Sequence, residues 1–175
     1  MAAIIVENGS GVPNANSYVD AAAITEFLEL MGVDPGETSA EQLAITSALF
    51  ISVSVNCWPG CRTTDTQGMD WPRKGVYISC SDVPFPSNKI PEQLKRAQLF
   101  AALAAAQGIA LFPSYDPTAG NIKREELGPL KTEYFGQNMD VYGMLPTLPA
   151  VVGLLDELTG KGACGAGGHF RVIRV

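Results

Sequence analysis

Charge is scarce in this chain. Asp, Glu, Lys and Arg make up 17% of its 175 residues, against about a quarter in ordinary soluble domains. The balance is also acidic, with 18 carboxylates to 12 cations and a net charge of −6. That excludes gripping phosphate with a globally basic surface, which needs clustered Lys and Arg. Histidine occurs once, as His169 beyond a run of glycines. A lone imidazole there lacks the fixed geometry of a general base, so Ser/His/Asp and Cys/His catalysis have no centre and no enzyme is expected. No Gly-x-Gly-x-x-Gly follows a strand pattern, and no Gly-x-x-x-x-Gly-Lys-Ser/Thr occurs. The four cysteines are Cys57, Cys61, Cys80 and Cys164. They suit idle thiols in a reducing compartment, and Cys57 with Cys61 would supply only half a zinc site. No metal and no cofactor is therefore expected. The longest apolar run, Leu99 to Phe112, is interrupted by Gln107 and Gly108. It falls short of the ~20 residues needed to cross a bilayer. The first residues lack a signal peptide's basic and apolar regions, so no membrane partner is expected.

What is abundant is Ala, Leu and chain-breakers: 18 glycines and 12 prolines, together above the usual ~12%. The length fits one mainly α domain, a small helical bundle with a projecting β-hairpin and extended terminal segments. Residues 1–160 form the bundle domain and 161–175 a separate tether and arm. Ala3–Glu7 reads as a short strand before the turn Asn8-Gly9-Ser10-Gly11. A first helix is capped at Ser17, with Asp20 returning the interaction and an apolar stripe of Val19, Ala23, Phe27, Leu30 and Met31. A second starts with the capping box Ser39-Ala40-Glu41-Gln42 and runs to about Cys57, apolar on more than one face. Residues 59–90 hold many breakers and read as a long ordered loop, with a short strand at Val76-Tyr77-Ile78. A third helix opens with Pro91 at its first position and carries an alanine cluster that allows close approach of another backbone. Two alternating runs around Gly128-Pro129, near 121–135, suggest a hairpin. Pro146–Pro149 opens a last helix, with Val151, Leu154, Leu155 and Leu158 as its stripe.

Two features invite a partner. Lys161 to Gly168 is a glycine-rich tether, followed by the β-prone segment His169-Phe170-Arg171-Val172-Ile173-Arg174-Val175. It is either a frayed terminus or an arm that adds a strand to a neighbour's sheet edge, and the arm is the favoured reading. Trp71-Pro72-Arg73 offers an interface anchor if Trp71 is exposed, or a loop tucked onto the bundle if it is buried. The candidate interface residues are thus Trp71, Arg73, Lys123, Arg124, Phe170, Arg171, Val172, Ile173, Arg174 and Val175. Aromatics are few, at 8%, and Phe27, Phe50 and Phe100 fall on helical stripes where core packing accounts for them.

An ordered set of motifs carries a resemblance. Ile4–Gly11 leads into Asn14-Ala15-Asn16-Ser17-Tyr18-Val19, followed by Trp71-Pro72-Arg73 with Gly75-Val76-Tyr77. Ile90–Lys95, and then Ile122–Leu130 with Glu133-Tyr134, complete it. From about residue 3 to 158 the chain resembles small tailed-phage proteins labelled DnaT-like single-stranded-DNA-binding proteins, which are similar to head–tail connector adaptors. The resemblance implies a ring of this chain, commonly of twelve copies, at the virion head–tail junction after assembly in the host cytoplasm. Its implied partners are the portal protein, the next tail-side ring or tail terminator, and genomic DNA passing through without specific binding during ejection. Acidic walls repel phosphate, and low surface charge suits subunits packed side by side, so the adaptor is the expected function. The alternative is a single-stranded-DNA-binding replication accessory protein.

Overall fold

The computed structural model describes residues 3–55, 57–78, 81–113 and 145–159, together with the backbone of 124–127 and 130–133. Its described elements are α1 (Ala21–Leu30), α2 (Ala40–Ser54), β1 (Cys61–Arg62), β2 (Arg73–Lys74), α3 (Glu92–Ala106), β3 (Arg124–Leu127), β4 (Leu130–Glu133) and α4 (Pro149–Thr159). The protein is mainly helical, with small antiparallel ribbons β1–β2 and β3–β4.

Helix α3 is central, packed against α1, α2 and α4. Its sequence allows this: Ala97, Ala101, Ala102 and Ala104 are all buried, and side chains of one methyl let neighbouring backbones come close. The alanine cluster thus serves the chain's own bundle. Two apolar clusters flank α3. Val19, Ile24, Leu28, Leu43 and Ala44 fill one side with Ala102 and Leu103, where Phe27 meets Phe100 edge-on at 5.5 Å. Trp58, Trp71, Phe50, Leu94 and the α4 residues Val151, Leu155 and Leu158 fill the other. Complete burial of one such aliphatic side chain contributes about 1.5–3 kcal/mol.

Several expectations hold. The Ser39 hydroxyl accepts from the Gln42 N–H and the Gln42 Oε1 accepts from the Ser39 N–H, each at 3.2 Å, a complete capping box. Helix α2 buries Leu43, Ala44, Ser47, Ala48, Phe50 and Ile51 on two sides. Val151, Leu155 and Leu158 form the buried stripe of α4. The hairpin ladder pairs Arg124 with Glu133 and Leu127 with Leu130.

Others are corrected. Helix α1 is capped by Asp20, whose carboxylate accepts from the Ala23 N–H at 2.7 Å. The stripe rotates accordingly: Ile24 and Leu28 are buried, whereas Leu30 is 81% exposed and Met31 46%. Ser17 is instead committed elsewhere, its hydroxyl donating to the Val19 carbonyl at 2.6 Å and accepting from Gln98 at 2.7 Å. A hydroxyl engaged locally by Val19 and from across the bundle by Gln98 is not free to cap. Pro91 is the N-cap of α3, not its first helical residue. Ala3–Glu7 makes only an isolated bridge, Val6 with Ser17. In the long loop the strands are Cys61–Arg62 and Arg73–Lys74, and Val76–Ile78 has no strand partner among the described residues.

Candidate nucleic-acid interface

The described residues of the loop between α2 and α3 are tied down by buried aromatic and polar contacts on its inner surface. Trp71 is wholly buried and stands edge-on to Trp58 and to Phe85, each at 6.0 Å. Such T-shaped aromatic contacts add about 0.5–1.5 kcal/mol beyond burial. Beside it the Arg73 guanidinium donates to the carbonyls of Pro59 at 2.7 Å, Gly60 at 2.8 Å, Asp70 at 3.1 Å and Trp58 at 3.4 Å. The planar fork of five donors is the one side chain able to gather so many carbonyls of a turn. Gly60, at φ +67°, lies so close to the Lys74 carbonyl that a Cβ would collide with it. On the other side the buried Gln67 amide accepts from the Thr63 and Thr64 N–H groups, each at 3.0 Å. It donates to the carbonyls of Met69 at 2.8 Å and Pro72 at 3.1 Å. All four hydrogen-bonding positions of the amide are thereby engaged.

What this scaffold turns outward is different in kind. Along 76–78, Val76 and Ile78 are buried while Tyr77 between them is 59% exposed. Lys74, at the end of β2, is exposed, as is Arg62 on the facing strand. Arg62 carries an ion pair to Asp70 at 2.9 Å and keeps 45% of its side chain exposed. The register sets Arg62 opposite Arg73 and Lys74 opposite Cys61, so Arg62 and Lys74 leave the ribbon on opposite faces, and the exposed cation nearest in the chain to the Tyr77 ring is Lys74. That arrangement can attract a phosphate and take a flat, unpaired ring against its face.

The candidate residues read from sequence fare unevenly. Trp71 is not an interface anchor: it is core, because the turn around Arg73 folds its indole onto Trp58 and Phe85. Arg73 is likewise directed inward to carbonyl groups. Arg124 lies on β3 with its Cα opposite Glu133. Lys123 and Phe170, Arg171, Val172, Ile173, Arg174 and Val175 lie outside the described residues, as do Cys80 and Cys164. Exposed Lys74 and Tyr77 are not among the candidates read from sequence, although the Val76-Tyr77-Ile78 alternation already puts Tyr77 on the opposite face from its neighbours.

Elsewhere the polar groups are structural. The buried Glu7 carboxylate accepts from the N–H groups of Gly9 at 2.9 Å, Gly11 at 3.0 Å and Val12 at 2.7 Å, closing the first turn. Gln98, on α3, accepts from the Tyr18 N–H at 2.9 Å and donates to the Ala44 carbonyl at 2.8 Å. Burial and, next, the Asp70 carboxylate push the Tyr18 phenol well above its ordinary value. A cleft of about 330 Å³ between the end of α2 and α4 is lined mainly by apolar side chains, Phe50, Leu148 and Val151 among them. Among the described residues no three His, Cys, Asp or Glu side chains gather as metal ligands, and no helix is long and apolar enough to cross a membrane.

No curated protein and no solved structure matches the chain. A family model does, over residues 2–175, under the description "Putative DnaT-like ssDNA binding protein". That finding overturns the expected ring adaptor of the virion, with its portal and tail-side partners and its unspecific conduit for DNA: the description speaks of single-stranded DNA and of no head–tail junction. The expectation failed because net charge is a sum over the whole molecule, whereas a nucleic-acid interface needs only a local edge of cations and aromatic rings. The match also takes in residues 161–175, which the motif resemblance had left out. With nearly its whole length matched, the chain belongs to this DnaT-like family.

Proposed function

We propose that this chain is a single-stranded-DNA-binding protein, a non-enzymatic accessory of DNA replication. The observation that carries the reading is the family match across residues 2–175. Exposed Lys74 and, three residues on, exposed Tyr77 support it, because they supply the two ingredients that unpaired nucleic acid needs, a cation for phosphate and a ring for bases. The net charge of −6 confines attraction to such local features, so binding is expected to be modest and sensitive to salt.

The test is a fluorescence-anisotropy titration of the full chain into a labelled oligothymidine longer than the roughly 4–16 nucleotides a small single-strand binder covers. A duplex of equal length serves as competitor. Saturable binding at micromolar protein or tighter, weakened by salt and poorly competed by duplex, is the expected result. Absence of binding at low salt up to about 100 µM, the weak end of non-specific affinity, would reject the function.

A further inference from the structure

We propose that the outer edge of the α2–α3 loop is the single-strand site, with Tyr77 stacking a base and Lys74 taking the adjoining phosphate. This rests on the single-stranded-DNA reading and adds the location and the mode of binding.

Three observations lead there. Tyr77, at 59%, is the most exposed large aromatic among the described residues. Phe112, at 40%, also presents a ring, but that ring already has the edge-on contact with Phe50. The Tyr77 ring stands on fixed backbone: Val76 is wholly buried, Ile78 is 8% exposed, and the Val76 carbonyl accepts from the Phe85 N–H at 2.7 Å. A stacking partner held in this way costs little ordering when the base arrives. Lys74 is three residues away, a reach of at most about 10 Å along extended chain, so one nucleotide can place its base on the ring and its phosphate at the ammonium. No atom lies within 4 Å of where a Cβ on the intervening Gly75 would stand.

Charge then sets the character of the site. The Asp70 carboxylate already holds Arg62, and Arg73 is spent on backbone carbonyls. With Arg73 turned inward and Arg62 paired to Asp70 on the opposite face of the ribbon from Lys74, the phosphate pull comes from Lys74. Stacking therefore leads and electrostatics assist. Stacking is open only to bases free of a duplex, and every base has a face, so discrimination is for unpaired strand and not for sequence.

Wild type, Tyr77→Ala, Tyr77→Phe, Lys74→Gln and the control Lys95→Gln on α3 would be titrated with the same labelled oligothymidine at several salt concentrations. Tyr77→Ala is expected to weaken binding about 5- to 150-fold, the range of one lost base stack, while Tyr77→Phe stays near wild type. Lys74→Gln is expected to flatten the log–log salt slope by about 0.7, one phosphate contact on a single strand. Lys95→Gln should change neither. Thermal melts check that the variants are folded, and the Lys74→Gln slope remains decisive if Tyr77→Ala is not. Should wild type bind while Tyr77→Ala and Lys74→Gln bind equally well, with an unchanged slope, the site lies elsewhere and this proposal falls. Should wild type itself fail to bind, the functional reading falls first.

Discussion

Replacing Arg73 with Met is the sharpest probe of how the loop is built. The substitution keeps an unbranched stem of similar reach and removes the fork. Four carbonyls lose a donor, but they do not count equally. The bonds to Pro59 at 2.7 Å and Asp70 at 3.1 Å are partly buried, that to Gly60 is exposed, and that to Trp58 at 3.4 Å is long. Hydrogen bonds from a charged donor contribute about 1.5–3 kcal/mol each. Taking the low end for the two partly buried bonds and almost nothing for the others gives a loss of about 3 kcal/mol. At a urea m-value of about 2 kcal/mol/M the unfolding midpoint falls by about 1.5 M. Arg73→Lys restores the charge and one bond at best, so it should recover less than half of the loss, since an ammonium cannot fork. Equilibrium urea unfolding followed by tryptophan fluorescence reads this well, because Trp58 and Trp71 sit beside the clamp. A midpoint for Arg73→Met within 0.25 M of wild type (about 0.5 kcal/mol at that slope) would refute the clamp and mean that water replaces the guanidinium at little cost.

Three further outcomes follow from the same geometry. Ile24→Ala should cost about 2–5 kcal/mol and Leu30→Ala within about 0.5 kcal/mol, since Ile24 is fully buried and Leu30 is 81% exposed; equal losses by chemical denaturation would mean α1 is rotated. Glu7→Gln should destabilise by about 1–3 kcal/mol, because a carboxamide cannot accept from all three N–H groups its carboxylate now satisfies, and an unchanged unfolding midpoint would contradict that. For Tyr18 the raised phenol value means the native state holds its proton where the unfolded chain, near pH 10, releases it. Stability is then whole below about pH 10 and declines above it by up to ~1.4 kcal/mol per pH unit. Tyr18→Phe should abolish that part of the alkaline slope, at the cost of leaving the Trp71 N–H without its acceptor at 3.3 Å; a variant with the wild-type slope would rule the phenol out.

Much of the fold was legible because its signals are local. The Ser39 box, the two-sided α2, the α4 stripe and the hairpin near 121–135 each follow from residues within a few positions of one another. The errors arose where a distant partner claimed a residue. Ser17 looks like a cap, but Gln98 engages its hydroxyl from across the bundle, so the helix begins at Asp20 and its stripe turns with it. The candidate site was less legible for the same reason. Trp71 beside Arg73 has the composition of an interface anchor, and nothing in the tripeptide says that Trp58, Phe85 and four carbonyls lie waiting on the inner side.

The shortage and sign of charge proved the weakest guide. A total of −6 bears on the average field of the molecule, and it pointed away from DNA toward an acidic conduit. Which side chains of the long loop reach solvent is a matter of tertiary structure, and attraction over a Debye length of about 10 Å depends on that local arrangement. By itself the sequence determined a charge-poor, mainly helical chain, because composition, caps and periodicity act over short range. Only the tertiary structure decided which face of the long loop is core and which meets solvent, because that choice is made by packing between residues far apart in the chain.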